Sequence, residues 1–137
     1  MGNTIKINNG LKIYDIEDQN GNIIGQFNIN PTDAGMVKRY SESLKSFEDI
    51  KKEYINKEAG VEAFVELQER VVNELCNIIG NDSVKVFFEV MGAFSLQDGK
   101  LYFEQVYEII GNIIQEEGKK QKAKMQKRIE DYGKKFK

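Results

Sequence analysis

The chain has 137 residues, with Lys+Arg 20 against Asp+Glu 22, no His, no Trp, one Cys and one Pro. At 40% hydrophobic and 31% charged it reads as one globular domain, or a domain with an appendage, rather than a disordered or membrane-embedded chain. The lack of His excludes Ser-His-Asp and Cys-His catalysis and imidazole metal ligands, and the lone Cys76 excludes an internal disulfide and a cysteine zinc site.

The first thirty residues read as strands. Ile5 and Ile7 precede Asn8-Asn9-Gly10; Leu11, Ile13, Tyr14 and Ile16 precede Gln19-Asn20-Gly21-Asn22; Ile23, Ile24, Phe27 and Ile29 follow. Asn and Gly tolerate the positive φ of tight hairpin turns, so β-branched and aromatic residues broken by two Asn-Gly pairs predict an antiparallel meander over about 3–8, 11–18 and 22–29. Three strands are marginal alone, so one face must pack on helices or on another chain. The polar, alternating N-terminus lacks the apolar run of a signal peptide, and no run approaches the ~20 apolar residues of a membrane span. Gly2 raises myristoylation, but Lys6 sits where that motif wants Ser or Thr. The expected location is the cytosol.

Asn30-Pro31 marks the switch to helix, with Asn30 or Thr32-Asp33 as the cap. Met36, Val37, Tyr40, Leu44, Phe47, Ile50, Tyr54 and Ile55 recur at steps that place one stripe on a helix over about 32–57. Ala59-Gly60 breaks it. A second helix over 61–79 carries Val61, Phe64, Val65, Val71, Val72, Leu75, Ile78 and Ile79, and Gly80 stops it. Cys76 lies on that stripe as a buried structural thiol. Asn81-Asp82-Ser83 caps a third helix over 83–91; Gly92 to Gly99 is a loop with a turn at Gln97-Asp98-Gly99. A fourth helix over 100–117 carries Leu101, Phe103, Val106, Ile109, Ile110, Ile113 and Ile114.

Gly118 then interrupts, and 119–137 becomes a basic extension of net charge +7 on a body, 1–118, of −9. Its large apolar residues are Met125, Ile129, Tyr132 and Phe136, at the spacing of a weak amphipathic helix. Four readings fit it: a frayed or disordered solvated tail, a dock for an acidic protein surface such as a neighbouring subunit's body, a nucleic-acid contact, or a membrane-surface contact. Sparse stacking aromatics and the acidic body disfavour nucleic acid, and the thin apolar face disfavours a membrane.

Sequence motifs for chemistry fail on their spacing. Gly92 and Gly99-Lys100 have the wrong interval for a phosphate loop, and Leu101 replaces the Ser or Thr that would hold Mg²⁺. Asp18, Asn20 and Gly21 imitate part of a calcium loop, but Phe27 falls where the bidentate Glu belongs. Glu62, Glu66 and Glu69 fit a solvated helix face, and nothing singles out a paired-carboxylate site. The expectation is a protein without catalytic, metal or cofactor residues. The other candidate is the aromatic group Phe87, Phe88, Met91 and Phe94: one stripe cannot hide adjacent Phe87 and Phe88. Either the third helix is buried on two sides, or it presents a partly exposed groove with Phe and Met anchors for a partner or a second copy.

The order of elements resembles a family of small phage and prophage proteins of Gram-positive bacteria, similar to tail assembly chaperones. The resemblance lies in Asp15-Ile16-Glu17-Asp18, Gly25-Gln26-Phe27-Asn28-Ile29-Asn30, Pro31-Thr32-Asp33, Lys38-Arg39-Tyr40, Leu75-Cys76-Asn77-Ile78-Ile79-Gly80 and Asp82-Ser83-Val84-Lys85-Val86-Phe87, followed by a Gly-Ala-Phe loop and a long helix. It spans about 11–117, and 75–94 is its most telling part. It implies a non-enzymatic protein of the host cytoplasm that binds the tape measure protein and keeps its helices soluble during tail assembly. It carries no catalytic residues over.

The expected architecture is α+β and mostly α: a β-meander, four helices and a basic extension that is helical or not. The expected partner is a protein, the tape measure protein or another tail protein, met through Phe87, Phe88, Met91 and Phe94 or through Lys119, Lys120, Lys124, Lys127 and Arg128. Self-association is compatible with this. A connector or tail subunit that stays in the particle, and a nucleic-acid-binding regulator, are the competing expectations.

Overall fold

The computed structural model describes residues 2–56 and 60–135. The protein is α+β and mostly helical, with a small antiparallel hairpin at the N-terminus. Strand β1, Lys12–Glu17, pairs with β2, Ile23–Ile29, through Tyr14↔Phe27 and Ile16↔Gly25, with a bulge at Ile16/Glu17. Alternation puts Tyr14, Ile16, Phe27 and Ile29 on the face that packs inward. The turn between the strands is held by Asp18. Its carboxylate accepts the backbone N–H groups of Asn20 and Asn22 at 2.9 and 3.0 Å, while Gly21 takes φ 83°. The Asn22 amide, ahead of the smaller effect of burial, holds the Asp18 carboxyl below the usual range.

The strand expected over 3–8 does not form. Ile5 and Ile7 are 81% and 76% exposed, and residues 2–11 are irregular. The Asn8 and Asn9 side chains bond the backbone N–H groups of Gly10 and Leu11, so they build local turns in place of a hairpin. Gly10, at φ 73°, then passes close to the Asn30 and Thr32 side chains.

Helix α1 runs Ala34–Asn56, two residues later than predicted, because Asp33 wins the cap: its Oδ2 accepts the Met36 N–H at 2.8 Å. The expected end at Lys57 and the break at Ala59 lie outside the described residues. Helix α2 spans Val61–Ile79 and ends at Gly80, φ 86°, whose N–H bonds the Cys76 carbonyl. Helix α3, Asn81–Val90, starts directly from Gly80, without a side-chain cap from Asn81, Asp82 or Ser83. Ser83 instead donates to the Asn28 carbonyl at 2.8 Å and ties α3 to β2. A miniature hairpin follows, β3, Leu96–Gln97, and β4, Lys100–Leu101, around Asp98 and Gly99, both at positive φ.

Helix α4 then runs unbroken over Tyr102–Lys135. Gly118 does not interrupt it. A helix-interior Gly costs about 1 kcal/mol, too little to stop a helix that Lys, Gln, Ala, Met, Arg and Glu continue on both sides. The buried part of α4 lies on α1. The Tyr40 and Tyr107 rings stack at 4.4 Å, the Tyr40 hydroxyl donates to the Tyr107 carbonyl at 3.3 Å, and the Tyr107 hydroxyl donates to the Tyr40 carbonyl at 3.0 Å. A Cβ on Gly111 would stand 2.9 Å from Tyr40 Cζ and closer still to its hydroxyl. Lys51 and Glu104 add an ion pair at 3.0 Å between the same helices.

Gly111→Ala therefore lowers stability by about 1–3 kcal/mol, although Ala is the better helix former, because the Tyr40 ring has to move. Chemical denaturation checks it, and a stabilised variant would contradict the packing. A chain cut after Lys120, which keeps the Lys120–Glu117 pair, holds its unfolding free energy within about 0.5 kcal/mol, since the side chains of 121–134 are exposed.

Candidate interaction surface

Of the aromatic group singled out in the sequence, Phe87 and Phe94 lie in the core, as the reading of the third helix as buried on two sides expects. Phe87 is 2% exposed and packs on Phe27 at 4.7 Å. Phe94 is 6% exposed and joins Tyr54 at 4.7 Å, Phe64 at 5.4 Å and Phe103 at 5.3 Å. Tyr102 donates its hydroxyl to the Phe87 carbonyl at 2.7 Å, so α3 and α4 are locked there. Phe88 and Met91 are half-buried against the same core. Helix α3 is thus covered on two sides: by β2 through Phe27 and by α4 through Tyr102. Phe87 and Phe94 present nothing to a partner. Cys76 is half-buried, and burial pushes its thiol upward, away from a reactive thiolate.

The basic residues are placed differently. Lys119, Lys120, Lys124, Lys127 and Arg128 are exposed on the last part of α4, which leaves the body as a helical arm. Met125 and Ile129, 58% and 59% exposed, form a stripe that Tyr132 continues. Lys122 and Arg128 flank that stripe by helical spacing. Met125, Arg128, Ile129, Asp131 and Tyr132 line an open groove along it. Phe136, the next residue of the predicted stripe, lies outside the described residues.

The arm is anchored where it leaves. Glu117 is buried beneath Lys12 of β1, 3.3 Å from its ammonium, and 3.4 Å from Lys120 one turn on. Burial pushes the Glu117 carboxyl up, but the two lysines outweigh it and hold the group below the usual carboxylate range. The neighbouring Tyr14 phenol moves up, by burial first and then by Glu117. One buried carboxylate therefore fixes the hairpin to the root of the arm.

A second surface was missed in the sequence. Val61 and Val65 are exposed on the outer side of α2, in line with Gln68 and half-buried Val72. Val65, Gln68, Glu69, Val72 and Asn73 line an open groove there, with Glu62 and Glu69 along its solvent edge. The signal was present: the valines of α2 span more of the helix than one stripe, and Leu67, Val71, Leu75 and Ile78 already fill the inner side.

A cleft of mixed polar and apolar lining lies between the end of β2, the start of α1 and the α2–α3 junction. Its Arg39 donates Nε to the Asn77 carbonyl at 2.6 Å, and Asn30 Oδ1 is buried there without a hydrogen-bond partner among the described residues. No group of three or more Cys, Asp or Glu among the described residues could hold a metal ion, and no helix among them is long and apolar enough to cross a membrane.

No protein-family model, curated protein or solved structure matches the chain.

The depressed Glu117 carboxyl fixes the sign of one pH effect. Its pairing stabilises the native state above the ordinary carboxylate range and is lost as pH falls through the lower folded value. Glu117→Gln is therefore less stable than the parent at neutral pH, and the two curves converge in acid. Thermal melts at several pH values read this out; a gap that does not narrow in acid would contradict it.

Proposed function

We propose that this protein is a non-enzymatic binding factor of phage morphogenesis, resembling a tail assembly chaperone, whose client is an amphipathic helix of the tape measure protein. The phage assignment rests on the resemblance over 11–117. The binding mode rests on one observation above all: an exposed apolar stripe, Met125–Ile129, flanked by Lys122 and Arg128 on a helix clear of the body. Such a face takes a client helix by the spacing of its apolar residues, and the flanking cations favour acidic neighbours on that helix. Met is well suited to clients of varied shape, since its unbranched side chain adapts. The client contact is thereby reassigned from Phe87 and Phe94 to the arm.

Co-expression with a tape measure fragment tests the proposal. The parent chain raises the soluble yield of the fragment, and Met125→Glu with Ile129→Glu abolishes that gain and weakens binding of the fragment about tenfold or more, roughly 1.4 kcal/mol. No gain with the parent chain would defeat the proposal. Mass spectrometry of purified particles separates the competing assignment: a chaperone is absent from them, whereas a connector or tail subunit is retained.

A further inference from the structure

The arm and the α2 groove are complementary in length, pattern and charge. On the arm, Met125, Ile129 and Tyr132 recur at steps of four and three; on α2, Val61, Val65, Gln68 and Val72 recur at four, three and four. These are the spacings by which two helices share a seam. Lys122 and Arg128 border the first seam, and Glu62 and Glu69 the solvent side of the second. Two arms paired with each other would set Arg128 against basic neighbours, whereas an arm on α2 sets it against carboxylates.

The arm cannot reach the α2 groove of its own chain. Phe64 of α2 packs on Phe94, and Phe94 on Phe103, so the Val61–Val65 end lies beside the first turn of α4. Glu117 lies at the other end of the body, against Lys12 of the hairpin. Met125 is therefore about 33 Å along the helix from Phe103 at 1.5 Å per residue, and it points away. A second molecule has to supply the acidic face.

We propose that the arm of one copy docks on the outer face of α2 of a second copy, and that two copies exchange arms in this way. The arm leaves from one end of the body and the groove sits toward the other. Two copies lying antiparallel then satisfy both docks at once, as a closed two-fold pair does. Each dock covers Met125 and Ile129 of one chain and Val61 and Val65 of the other, the exposed apolar residues on these two faces. The stripe is the one proposed above for the client, so a client helix and a second copy's α2 compete for it; the inference is tested on the pure protein, where no client is present, and stands or falls without the client reading.

Sedimentation or light scattering across a dilution series from roughly 1 μM to 1 mM tests it on the full chain. The parent approaches twice the 15.7 kDa of one chain as concentration rises. Glu62→Lys with Glu69→Lys weakens the pair roughly tenfold or more, and so does Lys122→Glu with Arg128→Glu. Mixing the two double variants restores both docks of the mixed pair, one with the parent charges and one with the reversed charges, and all four changes in one chain restore both docks between identical copies. These side chains are exposed, and an unchanged helical circular dichroism signal confirms folding. A parent that stays at one-chain mass throughout overturns the proposal. So does a pair that both double variants leave intact, or one that the fourfold variant fails to restore.

Discussion

The structure turns on the close approach of Tyr40 to Gly111. Two tyrosines stack face to face, and each hydroxyl reaches the other residue's carbonyl. Neither bond forms unless the helices come near, and they come near because position 111 has no side chain. The helix-propensity cost of that Gly, about 1 kcal/mol, is offset by two hydroxyl bonds of about 1 kcal/mol each and by the ring contact. Burial, ahead of the neighbouring Tyr107, drives the Tyr40 hydroxyl well above its ordinary titration range, so it remains a donor. With α4 set on α1, Phe103 comes against Phe47 and Phe94, and Phe94 draws in Tyr54 and Phe64. At the other end Glu117 meets Lys12. The direction of the arm is thus decided inside the body.

Local chemistry made much of this legible. The hairpin followed from Asn20-Gly21 and its flanking alternation, and α2 ended at Gly80 as its positive φ requires. What failed was competition between signals of similar size. Asn8-Asn9-Gly10 has the composition of a hairpin turn, yet two Asn side chains satisfied backbone N–H groups locally and left Ile5 and Ile7 without a strand partner. Gly118 has the composition of a stop, yet its cost fell below the gain from continuing the helix. The site divided the same way. The basic residues were read as exposed and are; the aromatic group was readable as core or groove, and only the packing of Phe27 and Tyr102 on either side of α3 decides for core. The α2 groove was legible only as an excess of valines over one stripe, because a list of apolar positions does not say which of them the core has room for.

The uneven charge of the chain takes its meaning from this geometry. A +7 extension on a −9 body would fold back on that body if it were flexible. As a continuous helix it cannot. At physiological salt the attraction between exposed charges fades over about 8 Å, and the arm stripe stands several such lengths from the acidic rim of α2 in the same chain. Within one molecule the two surfaces scarcely interact. Between two molecules in contact the separation falls to a few ångströms, and the same charges act together with the apolar seam between them. Rigidity therefore converts an internal charge imbalance into an intermolecular one. Glu117 adds a tie at the root of the arm, where Lys12 of the hairpin and Lys120 of the arm both meet its carboxylate.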